Sequence, residues 1–346
     1  MLRRAISGLL NFIAGGSGLF VPRNVISEQS VSRRVVLAFG HIPSCDYYFG
    51  ASEGGSGGPQ PEHQDLSRVR IEDIKFDSTC EIVIVRYLPR KHLHRLAEIR
   101  KSVASIKYFL DDDLPAAIRA RELPFRYALK TSWRYARSRP ILAQICDGIW
   151  VSTPVLAARY AYANPVVRPP SGLGEIGSAS TSGSAYFYHG TWAHRWEIEW
   201  LVPVVAEVQR KLSGVWFEII GTDRVKELFH GIPRVRVVHP MPWADYLDYT
   251  RRTRFEVGLV PCLDTRFNQA RSHVKYLDCS RMGAVGIFSD VPAYSGVVKN
   301  GINGVLLTNS RSQWVEAIIE LLGSPDRRRE LLEGMRREAD ERKRSD

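Results

Sequence analysis

The sequence predicts an α/β protein built from two doubly wound domains, and three observations carry that reading. Short β-branched runs alternate with helical apolar spacing along most of the 346 residues, the pattern of parallel strands whose sheet is covered on both faces. The alternation stops in a Pro-, Gly- and Ser-rich stretch at 164–184 and then restarts, as a linker between domains would make it do. The length also suits two domains, at about 100–200 residues each. Two such domains leave a cleft facing the carboxyl ends of their strands, where open α/β sheets bind ligands.

Residues 1–30 read as a leader, either amphipathic or disordered. Two Arg precede an apolar stretch interrupted by Asn11. On a helix Ile6, Leu9, Leu10 and Ile13 share one side, which suits a helix lying in a membrane interface. A domain follows at 31–170. Its strands are expected at 34–40, 81–88, 105–110 and 148–152, each a short apolar run. Residues 50–61 (GASEGGSGGPQP) are low in complexity and read as a loop. Helical spacing covers 90–101, a basic stretch to about 146, and a segment from Pro154 with Thr153 as N-cap. In the second domain, 185–346, strands are expected at 185–189, 215–220, 235–238, 255–260, 285–288 and 304–307. Helices alternate with them at 194–212, 223–229, 243–251, 272–282 and 312–322, and a charge-rich terminal helix spans 327–344.

Composition narrows the class. Apolar content of 44% with 25% charged residues fits a folded soluble chain. No unbroken apolar run is long enough for a transmembrane helix. Five scattered Cys without CxxC spacing exclude a disulfide scaffold or zinc ribbon and suit a reducing compartment. The formal net charge is +11, and residues 86–139 alone hold 14 Lys/Arg against 5 Asp/Glu. A basic face of this kind suits nucleic acid, an anionic membrane or phosphorylated small molecules. A solvated face with no partner stands beside those readings.

Three loops at expected strand ends carry chemistry. In the first, Asn268, Ser272 and Lys275 lie before and within the first turn of a helix. Exposed N–H groups and the helix dipole there favour an anion, and Lys275 adds a full charge. Asp278, one turn on, can hydrogen-bond a ribose diol. Together they suit a nucleoside diphosphate. In the second, YFYHGTWAHR at 186–195 reads as strand, Gly190-Thr191, then helix. Gly190 permits close backbone approach, Thr191 can cap the helix or bond phosphate, and His189, His194 and Arg195 are within reach of a diphosphate. In the third, an apolar strand ends in Asp111-Asp112-Asp113, with Asp111 or Asp113 also able to cap the next helix. His41, in the loop after the first strand, is a candidate base.

The segment 255–307 carries an ordered set of motifs. These are Phe267-Asn268, Arg271-Ser272, Lys275-Tyr276-Leu277-Asp278, Ser289-Asp290-Val291-Pro292-Ala293-Tyr294 and Asn300-Gly301-Ile302-Asn303-Gly304. In this it resembles the carboxyl-terminal domain of group 1, family 4-like glycosyltransferases, and the likeness extends over about 186–332. The resemblance implies the GT-B fold, two Rossmann-like domains facing a cleft. It implies a UDP- or GDP-sugar donor held by Gly190, Thr191, His194, Arg195, Asn268, Arg271, Ser272, Lys275 and Asp278. One departure stands out: where the family commonly has the first of two acids, this chain has Ala270.

On this reading the chain is a hexosyltransferase-like enzyme that needs no cofactor and no metal. His41, Asp111 and Asp112 are its candidate catalytic groups. The acceptor would be a cell-surface polysaccharide or a lipid-linked glycan. The enzyme would be cytoplasmic, peripheral on an anionic membrane, with no nucleic-acid partner. Two alternatives stay open: a non-catalytic nucleotide-sugar or glycan-binding protein, and a metal-dependent GT-A-type transferase using Asp111–Asp113.

Overall fold

A computed structural model describes residues 2–23, 30–50, 59–170, 176–178 and 184–345. Parts of the leader, of the Gly-rich loop and of the linker lie outside these residues. The described chain forms two compact units. The first holds the residues up to 170 together with Ala270–Ser272, and the second holds the remainder.

The first unit is a parallel sheet of β1 (Arg33–Ala38), β2 (Pro61–Asp65), β3 (Cys80–Val85), β4 (Ser105–Leu110), β5 (Gly148–Val151) and β6 (Val166–Val167). The strand order is β2-β1-β3-β4-β5-β6. All six residues of β3 are buried, as expected of a central strand covered on both faces. Helices α1 (Leu2–Ile13), α2 (Pro43–Phe49), α3 (Arg90–Glu98), α4 (Phe125–Ile145) and α5 (Pro154–Arg159) accompany it, with a 3-10 turn at Leu114–Arg119. The expected Thr153 cap is present: its hydroxyl accepts from the Leu156 amide at 3.2 Å.

The second unit is a parallel sheet in the order β12-β11-β10-β7-β8-β9. Its strands are β7 (Ser184–Tyr188), β8 (Val215–Ile220), β9 (Val235–Val238), β10 (Val257–Val260), β11 (Val285–Ser289) and β12 (Val305–Leu307). The helices are α6 (Arg195–Lys211), α7 (Asp223–Leu228), α8 (Trp243–Arg252), α9 (Val274–Arg281), α10 (Pro292–Ser295), α11 (Arg311–Gly323) and α12 (Pro325–Ser345). Trp314 is fully buried in the core of this unit, and its indole N–H donates to the Thr308 carbonyl at 2.9 Å.

Each sheet reverses its winding once, between β1 and β3 in the first and between β7 and β10 in the second. The carboxyl ends of strands beside such a switch point splay apart and leave a crevice.

The differences from expectation have local causes. Strand β2 (PEHQD) is polar, and as an edge strand paired only to β1 it needs no apolar run. β6 is two residues long and falls inside the stretch read as linker. Helix α9 begins at Val274 rather than at 272, because Ala270–Ser272 pack with the first unit. In α1, Leu10 is buried but Leu9 is 57% exposed, so the side expected to act as one face is divided.

Candidate active site

In the first unit the charged groups gather at the carboxyl ends of β1, β3 and β4. Arg86 follows β3 with φ of 61°, a left-handed backbone that is uncommon outside Gly. That turn delivers its guanidinium to Asp111: Nε donates to Oδ1 at 2.7 Å and Nη2 to Oδ2 at 2.6 Å. The Asp111 carboxylate also accepts from Ser44 Oγ on α2. Asp113 accepts from Arg159 at 2.6 Å and from the Tyr160 hydroxyl, and it takes the Ala116 amide at 3.2 Å. It is therefore the residue that caps the following turn.

The triad thus divides. Asp111 and Asp113 are buried and held by protein cations and hydroxyls. Asp112 is a quarter exposed and meets Arg86 more loosely, at 3.3 Å. Burial raises its pKa above the ordinary value and the neighbouring Asp111 charge adds to this, against Arg86 and Arg271. A partly exposed carboxylate held above its usual range can take a proton. His41, after β1, is about half exposed and pairs with Asp46 at 3.0 Å.

Residues 270–272 belong beside this cluster. The Ala270 methyl is 1% exposed in the core of the first unit, and its carbonyl accepts from Thr153 Oγ1 at 3.1 Å. Ser272 meets the Tyr48 hydroxyl, and the Arg271 charge acts on Asp112. Arg271 and Ser272, expected with the donor-binding set, therefore stand with the carboxylate cluster. The position where an acid was expected is a packing position.

In the second unit the site lies at the switch point beside β7. Tyr188 ends that strand, and Lys275 of α9 places its ammonium 4.7 Å above the Tyr188 ring while donating to the His189 carbonyl. Gly190 follows. A Cβ there would sit 2.6 Å from the Tyr188 hydroxyl oxygen and 2.8 Å from the ring, so only glycine lets the chain pass this close. Thr191 takes the cap position of the 3-10 turn Trp192–His194, but its hydroxyl makes no cap bond. The capping half of its expected role is thus corrected, and the residue is exposed. His194 and Arg195 lead directly into the amino end of α6.

Two predicted residues look inward. Asn268 is 1% exposed, and its amide donates to Glu197 at 2.6 Å and to the Leu263 carbonyl at 2.9 Å. It orders the loop after β10. Asp278 is buried and accepts from Arg281 at 2.5 Å, while Arg281 Nε donates to Thr250 at 2.6 Å.

Glu218, a buried acid inside the apolar strand β8, is not among the residues expected from the sequence. It accepts from His189 Nε2 at 3.2 Å, from Arg236 at 2.6 Å and from the Tyr249 hydroxyl. Tyr246 approaches His189 Nδ1 at 3.3 Å. An acid within a run such as VWFEII, and a lone Arg86 ending EIVIV, are signals that could have exposed both clusters, because buried charges need partners. Burial lowers the His189 pKa against the pull of Glu218. Burial works against the Glu218 carboxylate too, yet its hydrogen bonds with His189, Tyr249 and Arg236 outweigh that and lower its pKa.

Both shifts act with the same sign. A depressed folded-state pKa means the unfolded chain binds the proton first, so this stability is present at higher pH and lost on acidification. For His189 the loss begins as pH falls through about 6.5, the ordinary imidazole value. We expect His189→Gln to cost about 1–3 kcal/mol at pH 8, as a broken hydrogen bond to a charged group does. It should also flatten the fall in stability below about pH 6.5, read by urea unfolding at both pH values. An unchanged slope would mean that His189 does not titrate in this way.

Among the described residues no group of three or more His, Cys, Asp or Glu side chains is placed to hold a metal ion. The oxygens of Asp111 and Asp113 are already taken by Arg86, Ser44, Arg159 and Tyr160.

Two parallel Rossmann-like sheets in this order define the GT-B class of fold. Solved glycosyltransferases share it. Sucrose-phosphate synthase from Thermosynechococcus elongatus is 13% identical with a TM-score of 0.57, over 90% of this chain and 94% of that one. HepE from Anabaena in complex with UDP-glucose is 10% identical with a TM-score of 0.55, over 90% and 95%. An S. aureus TarM variant in complex with fondaparinux, α-GlcNAc-glycerol and UDP is 13% identical with a TM-score of 0.56. That match covers 80% of this chain but 55% of TarM, so the chain spans about half of TarM's length. At such identities the likeness establishes the fold. No protein-family model and no curated protein sequence matches the chain.

Proposed function

We propose that the chain is a hexosyltransferase that moves a sugar from a UDP- or GDP-linked donor to a hydroxyl of a polysaccharide or lipid-linked glycan at an anionic membrane surface. The observation that carries this is Lys275, fixed over Tyr188 at the switch point of the second sheet beside Gly190. A cation and a side-chain-free backbone at that place suit a sugar-linked diphosphate. Two solved neighbours of the same fold are bound to UDP-glucose and to UDP.

The chemistry divides between the units. On the second, Lys275, with Thr191, His194, Arg195 and the amino end of α6, would receive the diphosphate and stabilise the charge it gains on leaving. On the first, Asp112 would take the acceptor's hydroxyl proton as the oxygen bonds to the anomeric carbon. The bond from that carbon to the phosphate oxygen breaks, and the electron pair leaves with the diphosphate. Arg86 would hold Asp111 and thereby position Asp112.

Ala270 favours a second reading, donor binding without turnover, since no carboxylate stands at that position. One experiment separates the two. Thermal shift and hydrolysis are measured against UDP- and GDP-sugars, with and without EDTA. One donor should raise Tm by an amount equivalent to about 2.7 kcal/mol at a hundredfold excess over Kd, and it should be slowly hydrolysed. Binding without hydrolysis or transfer to any acceptor supports the second reading. No shift with any donor overturns both, and loss of activity in EDTA overturns the metal-free route.

A further inference from the structure

Helix α1 is seated on the first unit by one side only. Arg3 donates to the carbonyls of Ile118 at 3.0 Å, Ala120 at 2.6 Å and Leu123 at 2.9 Å. Arg119 donates to Ser7 Oγ at 3.0 Å, and Arg139 donates to the Ala14 carbonyl at 2.5 Å. Leu10 and Ala14 are each 4% exposed. Positions 3, 7, 10 and 14 lie on one line along a helix.

Apart from Arg4, the exposed residues of the same helix are nonpolar. Leu2 is 64% exposed, Leu9 57% and Phe12 84%. A surface helix of a soluble protein ordinarily turns polar residues to water. Beside it, α4 exposes Arg126, Lys130, Trp133, Arg137 and Pro140, which are spaced as one stripe. Trp133 is 40% exposed with the Arg137 guanidinium 5.7 Å from its ring centre. Ile13 of α1 shares a surface pocket with Arg90, Trp133, Arg137 and Pro140, so the apolar side of α1 and the basic stripe of α4 are one continuous face.

Neither α1 nor α4 contains an acid. Among the described residues, no carboxylate forms an ion pair with Arg90, Arg126, Lys130 or Arg137. Exposed aliphatic and aromatic side chains, an indole and unneutralised cations on one face match an anionic bilayer, whose phosphates lie over an apolar interior. Nucleic acid would meet the cations but leave Leu9 and Phe12 in water. A second copy of the chain on this face would set like charges against each other.

We infer that the α1–α4 face docks the protein on an anionic lipid bilayer. Leu2, Leu9, Phe12 and Trp133 enter the headgroup–acyl boundary, and Arg126, Lys130 and Arg137 meet lipid phosphates. The inference does not depend on the transferase reading, because its test needs no turnover. The full chain is sedimented with vesicles of phosphatidylcholine alone or mixed with phosphatidylglycerol.

Binding to the mixed vesicles should exceed binding to phosphatidylcholine by about tenfold or more. Replacing Arg126, Lys130 and Arg137 together by Gln should weaken it about 100-fold, as the loss of three surface charges does. Leu9→Ser with Phe12→Ser should weaken it by about tenfold or more, since their apolar area no longer enters the bilayer. These side chains are exposed, and unchanged circular dichroism would verify that the variants fold. No binding to mixed vesicles, equal binding to both kinds, or full binding by the Leu9→Ser, Phe12→Ser variant would each overturn the inference. So would a dimer in solution that Phe12→Ser dissolves, which would make the face a protein interface.

Discussion

On the proposed transferase reading, Asp112→Asn is expected to lower turnover by about 10²–10⁴-fold, the range for loss of a general base, and at the same time to raise Tm at neutral pH. The two effects have one cause. Burial and the Asp111 charge hold the Asp112 pKa above its ordinary value. A raised folded-state pKa contributes stability that is present in acid and lost as pH rises through that value. At neutral pH the ionised side chain is therefore a cost to the fold, and Asn removes it while still accepting from Arg86.

Asp111→Asn has the opposite effect on stability. It takes the bidentate partner from Arg86 and costs about 3 kcal/mol or more, as breaking a buried ion pair does. Neighbouring substitutions of the same chemistry thus move Tm in opposite directions, which differential scanning calorimetry reads directly. Full activity in Asp112→Asn would remove it as the base. A fall in Tm would show that its charge is not held against burial.

On the same reading, Lys275→Ala is expected to weaken nucleoside diphosphate binding by about 10–100-fold, the range for a lost hydrogen bond between charged groups. The ammonium is already positioned, by the Tyr188 ring and the His189 carbonyl, so little ordering is required on binding. Titration calorimetry with UDP and with GDP measures the change. Tyr188→Phe keeps the aromatic face and should bind as the parent does. Unchanged affinity in Lys275→Ala would exclude that residue from the donor site, whatever the fate of the transfer reaction.

The site was legible in the sequence to different depths. Gly190 and Thr191 could be placed because they follow closely on a strand whose apolar run is unmistakable, and Lys275 because it lies in the first turn of the helix that comes after β10. The carboxylates could be placed but not sorted. SIKYFLDDD shows three acids at a strand end, and nothing local reveals that Arg86 takes Asp111 while Arg159 and Tyr160 take Asp113. Those partners lie 25, 46 and 47 residues away. Asn268 and Asp278 have ordinary donor-site chemistry, yet burial among Glu197, Arg281 and Thr250 turns them to internal bonds.

The sequence by itself determined the two parallel sheets except the edge strands β2 and β6, because apolar periodicity and turn residues act over a few positions and are written in order along the chain. It also determined where the loops at the strand ends fall. Tertiary structure alone decided which unit receives residues 270–272, why Ala270 is a packing methyl, and which aspartate stays open to solvent. It also decided that α1 packs through Arg3, Ser7, Leu10 and Ala14, leaving Leu9 and Phe12 outside beside a basic stripe. Each of these depends on which distant surfaces meet, and on the cost of burying a charge or an apolar side chain there, a cost that no local window of sequence contains.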